Sequence, residues 1–312
     1  MRINQIQVIG SHNSYHVGPT PEALATLEKL VTDLKLDVGD PKELDYTHSP
    51  LEDQLARGIR SFELDLSLPA NLSGDIKVAH IEAIDEGSRC PTLAQCLSQL
   101  MAWSKENPRH VPIPVLLELK SQSLDATQSD FLDAALRAAI PAAQLIEPDE
   151  VRGEAATLRD AVESNGWPEL DASRGSFYFL LDNGGEVSAG YRDGHPQLQG
   201  RAIFTTDALA DDSTIRDDGA VLKLNDPEQI ETIKDVVSKG HIVRTRADGP
   251  NSPSPSGRTK ALASGAQIVS TDYPAGEADT DGYEVSLDQP ARCNPVAKPA
   301  SCPTDVEGAL SE

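Results

Sequence analysis

Two histidines, three carboxylates and one side-chain amide fall where runs of β-forming residues end. His12 and Asn13 follow the run Gln5–Ile9, and His80 closes the short stretch Lys77-Val78-Ala79. Glu63 and Asp65 are two apart in the run 60–66, and Glu118 and Lys120 are two apart in 114–120. Residues two apart on a strand share a face. Carboxylates turned toward an interior are costly unless something pairs with them. Glu63, Asp65, Glu118 and the amide oxygen of Asn13 suit a hard divalent cation that takes oxygen ligands. Histidines beside such a cation suit proton transfer in phosphodiester cleavage. Each residue alone has a plainer reading. A histidine at a strand end is usually only hydrogen-bonded, Glu-x-Asp is often half of a salt bridge, and Glu118 can pair with Lys120. What they share is their place at the ends of the first three strands.

The elements that must hold them there follow from the β-rich runs. The candidate strands cover 5–9, 60–66, 114–120, 177–181, 202–205, 220–224, 241–246 and 267–271. Helix-like stretches near 22–34, 51–57, 93–106, 130–139, 158–164, 228–238 and 258–263 lie between them. Thr92 is placed to cap the helix from Leu93, and Pro227 sits in a first turn after Asp226. Strands alternating with helices predict a TIM-like (β/α)8 barrel, with an open sheet as the rival arrangement. Barrel active sites gather at the C-terminal ends of the strands. Arg244 and Arg246 share a face of the seventh strand and are expected to point inward. The Pro/Ser/Gly loop 248–257 follows that strand, on the functional side of a barrel. The chain 1–312 reads as one catalytic barrel domain, with 275–312 an irregular extension packed on it.

Composition narrows the class. With 312 residues, 38% hydrophobic and 25% charged, the chain has material for a large core. A net charge of −23 argues against nucleic acid, whose phosphates require clustered Lys and Arg, and against electrostatic docking on an anionic membrane. Four cysteines form two close pairs, Cys90/Cys96 and Cys293/Cys302, with no C-x-x-C spacing for zinc. Two short disulfide loops fit better, each contributing roughly 2–3 kcal/mol in the chain-entropy model, and they point to an oxidising, extracellular compartment. The opening MRINQIQVIG lacks a signal-peptide pattern, so the expectation is a secreted protein whose leader has been removed.

The runs 12–16 (HNSYH), 50–65 (PLEDQLARGIRSFELD), 78–80 (VAH) and 114–120 (PVLLELK) resemble the calcium-dependent phosphoinositide-specific phospholipase C family. That family sits in the superfamily shared with glycerophosphodiester phosphodiesterases. The runs 243–248 (VRTRAD), 269–274 (VSTDYP) and 291–295 (ARCNP) are similar to its bacterial and fungal branch. The resemblance implies that His12 serves proton transfer and the transition-state phosphate, and that His80 is the general acid for the diacylglycerol oxygen. It implies Asn13, Glu63, Asp65 and Glu118 as ligands of one calcium ion, in preference to magnesium. Lys120, Arg244, Arg246 and Tyr273 are the candidate substrate contacts.

The implied reaction releases diacylglycerol and a cyclic inositol phosphate. A glycerophosphodiester phosphodiesterase using water, and a non-catalytic barrel that binds headgroups, remain alternatives. The fourth strand reads FYFLLD, without the lysines that eukaryotic relatives use for ring phosphates, so plain phosphatidylinositol or a related glycerophosphodiester is the expected substrate. No accompanying membrane module is recognisable, so peripheral membrane contact falls to loops, with Tyr15 and Trp167 as candidates, although core packing is the more usual fate of a residue such as Trp167. A monomer is expected.

Overall fold

The computed structural model describes residues 1–34, 40–82, 84–210 and 214–308. Its strands are β1 (Ile6–Ser11), β2 (Phe62–Ser67), β3 (Lys77–Val78), β4 (Ile113–Leu119), β5 (Phe177–Leu181), β6 (Ile203–Thr205), β7 (Val221–Lys223), β8 (Ile242–Arg246), β9 (Ile268–Thr271) and β10 (Ala291–Cys293). They hydrogen-bond in two groups, β10-β1-β9-β8-β7 and β3-β2-β4-β5-β6. Setting aside β3 and β10, which run antiparallel to their neighbours, eight strands remain among the described residues. Those eight are the ones expected from the sequence, and they form a TIM-like barrel.

The two groups meet at two seams. At the first, Arg60 N donates to Ile9 O at 3.0 Å and Ser11 N to Ser61 O at 3.2 Å. A Cβ on Gly10 would lie 2.8 Å from Cβ of Ser61, so this close approach of β1 to β2 requires glycine. At the second, Lys223 N donates to Thr206 O at 2.9 Å. Strand β5 shows the pattern of a strand covered on two sides: Phe177–Leu181 is buried throughout.

Helix starts follow local chemistry. Thr92 accepts from Gln95 N, and Asp125 forms a capping box with Gln128 at the head of Ala126–Ala139. Three features escape the sequence reading. The helices Pro148–Arg152 and Gly185–Arg192 are short and weakly patterned. The tail after Pro274 is not wholly irregular, because β10 pairs with β1 through Ile6 and Cys293. β10 covers the N-terminal half of β1 while β2 meets its C-terminal half, so both parts of that edge are satisfied. The disulfides Cys90–Cys96 and Cys293–Cys302 both form, and no cysteine is free.

Candidate active site

Strand β1 ends at Ser11 and delivers His12 and Asn13; β2 carries Glu63 and Asp65; β4 carries Glu118 and leads into Lys120. Strand β5 leads into Asp182, β8 carries Arg244 and Arg246, and β9 leads into Asp272. All lie toward one end of the barrel. A cavity of about 360 Å³ opens there, with His12, Asn13, Tyr46, His80, Arg246 and Asp272 on its polar side. Leu27, Leu44, Ile81 and Ile84 give it an apolar margin.

Beside His12 lies a group of carboxylates. One oxygen each of Glu63, Glu118 and Asp182 falls within 4.8 Å of the other two. Such crowding is tolerable only with counter-charge. Arg244 Nη2 donates to Glu63 Oε2 at 2.6 Å. Lys120 Nζ lies 2.7 Å from Asp65 Oδ2 and 2.9 Å from Glu118 Oε1, and Lys223 Nζ lies 2.7 Å from Asp182 Oδ2. Even so, burial and then the neighbouring Glu118 push the Asp65 carboxyl up from the usual range. For Asp182, burial works the other way from the nearby charges, but Arg244 and Lys223 hold it below its ordinary value.

Asn13 Oδ1, Asp65 Oδ1 and Asp182 Oδ1 are buried and receive no hydrogen bond. Asn13 adopts φ 45°, a left-handed conformation that asparagine tolerates. Its Nδ2 donates to the Tyr46 hydroxyl at 2.8 Å, which leaves the amide oxygen uncommitted. Unpartnered oxygens beside clustered carboxylates are what a hard cation such as calcium takes as ligands, so this donor set fits the ion.

Each cavity histidine is held by a carboxylate through Nδ1. His12 Nδ1 lies 2.6 Å from Asp272 Oδ1, and its Nε2 is 3.5 Å from Glu63 Oε1. Burial would lower the His12 imidazole, but Glu63 and Asp272 outweigh it, against Arg246, and the net shift is upward. Asp272 also accepts from Arg246 Nη2 at 3.0 Å. Burial opposes its ionised form, yet the hydrogen bond and charge of His12, followed by Arg246, hold it down to about 2. His80 Nδ1 lies 2.9 Å from Asp85 Oδ2, the same oxygen that His16 Nε2 approaches at 2.7 Å. Burial would raise Asp85, but hydrogen bonds from His16 and His80 lower it on balance.

The structure brings Glu63, Asp65, Glu118 and Lys120 together, with His12, Asn13, His80 and Arg246 around the adjoining cavity. Arg244 is placed differently from Arg246. It is buried beneath the cavity, with guanidinium contacts to Glu63, Ser270 and Asn225, and it does not form part of the cavity wall. Tyr273 lies in a neighbouring cavity with His48 and Glu277, across Asn251 and Asp272, which border both. Its hydroxyl donates to Asn251 Oδ1 at 2.9 Å and its ring meets Tyr283 edge-on. Tyr15 and Trp167 are both 0% exposed, so neither is placed to contact a membrane. Trp167 instead packs in the core with Nε1 donating to Gly240 O at 3.0 Å.

Sequence reasoning missed Asp182, Asp272, Asp85 and His16. Asp272 and His16 stand inside motifs that signalled the site, Ser-Thr-Asp-Tyr-Pro and His-Asn-Ser-Tyr-His. Asp182 stands directly after an apolar strand, where a barrel places functional groups. Asp85 has no such signal, because it comes from a loop.

The chain matches the model of the family described as phosphoinositide phospholipase C, Ca2+-dependent, over residues 1–74 and 68–295. Among solved structures it is similar to the apo form of a calcium-dependent phosphoinositol-specific phospholipase C from a Gram-negative Pseudomonas species. The identity is 15%, covering 94% of this chain and 95% of that one, with a TM-score of 0.66. It is also similar to a Ca2+-dependent phosphatidylinositol-specific phospholipase C from Streptomyces antibioticus. There the identity is 19%, the coverage 87% and 95%, and the TM-score 0.63. At such identities these likenesses speak for the fold. No curated protein sequence matches the chain. The family match runs over nearly the whole barrel, and the chain belongs to the calcium-dependent phosphoinositide phospholipase C family, enzymes that cleave phosphoinositides with calcium as cofactor.

Proposed function

We propose that this enzyme cleaves phosphatidylinositol by attack of the inositol 2-hydroxyl on its own phosphate, releasing diacylglycerol and a cyclic inositol phosphate. The observation that carries the reading is a pair of histidines on one cavity, each anchored through Nδ1 to a carboxylate, beside a carboxylate cluster. Asn13, Glu63, Asp65 and Glu118 would hold calcium, and Asp182 is added to that set. When bound, the ion makes the ring hydroxyl more acidic and neutralises charge developing at phosphorus. His12, fixed by Asp272, takes the proton of the attacking hydroxyl on Nε2 and faces the phosphoryl oxygens. Arg246 contributes positive charge at the cavity wall, and Lys120 lies at the edge of the ligand cluster. Arg244 acts as the counter-ion of Glu63. His80 gives a proton to the departing glycerol oxygen.

Because the attacking oxygen and the phosphorus belong to one molecule, the step is effectively unimolecular. The roles of the histidines separate by leaving group. General acid catalysis typically contributes about 10²–10⁴-fold, so His80→Ala is expected to lose about that much on phosphatidylinositol. It should lose far less on a nitrophenyl phosphodiester of inositol, whose leaving group needs no proton. His12→Ala should be slow on both. The reverse pattern would exchange the two roles.

Membrane contact is assigned to the apolar margin of the cavity, where Ile84 is 46% exposed and Leu30 lies one helical turn beyond Leu27. The two disulfides support an extracellular, secreted location.

A further inference from the structure

We propose that Asp85 and His16 are positioning residues for His80, fixing its tautomer and its approach to the leaving oxygen; this rests on the reading of His80 as the general acid. Asp85 is 2% exposed and sits in a tight loop after His80. Its backbone N donates to Ile81 O at 2.8 Å, and Ile81 N donates to Asp85 O at 3.1 Å. This turn ties the backbone of Asp85 to Ile81, the residue directly after His80. A single oxygen, Oδ2, serves both imidazoles, at 2.9 Å from His80 Nδ1 and 2.7 Å from His16 Nε2.

A carboxylate at Nδ1 makes the neutral His80 ring carry its hydrogen there. Nε2 is then the nitrogen that gains and gives the working proton. In the acid step the Nε2–H bond breaks, its electron pair stays on nitrogen, and the proton goes to the glycerol oxygen as the P–O bond breaks.

His16 fixes where the Asp85 carboxylate sits. It is 0% exposed, and its other nitrogen, Nδ1, lies 3.0 Å from the backbone oxygen of Tyr46. His16 is therefore held at both nitrogens, between the Tyr46 backbone and Asp85. It grips the carboxylate oxygen that faces His80, so that oxygen keeps its place and orients the His80 ring. The three ligand-type atoms are also close enough together to hold a metal. Hydrogen bonding already satisfies them, and an ion there would occupy the nitrogen that must stay anchored.

The test uses the calcium-loaded enzyme. Long-range proton–nitrogen NMR of the wild type should show neutral His80 with hydrogen on Nδ1. Asp85→Asn presents an amide donor to that nitrogen and should move the hydrogen to Nε2. The corresponding change in the Ser-His-Asp triad leaves the geometry intact but gives the wrong tautomer. We expect kcat on phosphatidylinositol to fall by about 10²–10⁴-fold with little change in KM, and the nitrophenyl substrate to be largely spared. His16→Gln should give a smaller loss of the same pattern.

Wild-type His80 carrying its hydrogen on Nε2 would overturn the proposal, even if the Asp85 variant does not fold. So would equal losses on the two substrates, or stoichiometric zinc in the purified enzyme. The underlying reading fails separately, if His80→Ala turns over phosphatidylinositol normally. Loss in His80→Ala with full activity in Asp85→Asn would remove the positioning role alone.

Discussion

Asp272 gathers His12 Nδ1, Arg246 Nη2 and Asn251 N around one buried carboxylate. Its folded pKa of about 2, against an ordinary 3.8, corresponds to about 2 kcal/mol of stability. The folded value is the lower one, so this contribution is complete above about pH 4 and is lost as pH falls toward about 2. Asp272→Asn should therefore unfold in urea with about 2 kcal/mol less stability at neutral pH, and the gap to wild type should close on acidification. An equal gap at both ends would mean that the charge is not the cause. At this scale the site was legible where side chains follow strand periodicity. Glu63 with Asp65, and Glu118 with Lys120, are readable because a two-residue repeat fixes their face. The same rule placed Arg244 and Arg246 together but could not say that Arg244 would be spent on Glu63. That outcome depends on depth in the barrel, which a period does not encode.

Strand ends carry one half of the proposed catalytic apparatus, and the segment after β3 carries the other. Residues 79–82 carry His80 away from β3, and residues 84–90, with Asp85, return beside the segment that holds His16. Arg89 N donates to Tyr15 O at 2.7 Å, Val17 N to Gly87 O at 3.1 Å, and Cys90 is bonded to Cys96 in the following helix. A Cβ on Gly87 would stand 1.9 Å from the backbone oxygen of Val17, with no flexible side chain to give way. Gly87→Ala is expected to cost about 1–3 kcal/mol, as forced overpacking does. It should also depress kcat, because it pushes the His80 loop off its support. Wild-type denaturation and kinetics in this variant would show that the loop is held some other way. The eight barrel strands were legible as apolar runs bounded by turns, and the long helices by their caps. The loop path and β10 were not, since neither has a repeat, and both depend on partners far away in sequence.

The whole molecule carries a net charge of −23, and an anionic bilayer would repel it. The interfacial binding proposed above would then rest on apolar contact: Ile84, 46% exposed, lines the cavity, and Leu30, 47% exposed, follows Leu27 on the helix that borders it. Burying one such side chain is worth roughly 1.5–3 kcal/mol, so Leu30→Asp with Ile84→Asp should weaken binding to phosphatidylcholine vesicles by about tenfold or more. Leu30→Asp alone should leave hydrolysis of a soluble inositol phosphodiester unchanged, and vesicle binding by the wild type should vary little with salt. Equal losses on soluble and vesicle substrates would place these residues in the catalytic apparatus instead. Calcium-dependent cleavage by an internal hydroxyl is the proposed reaction, and phosphorus NMR of phosphatidylinositol turnover reports on both parts of it. With calcium, the resonance of a cyclic inositol phosphate should appear first, and with chelator it should not appear. Turnover that persists in chelator, or a non-cyclic phosphate as the first product, would rule that reaction out.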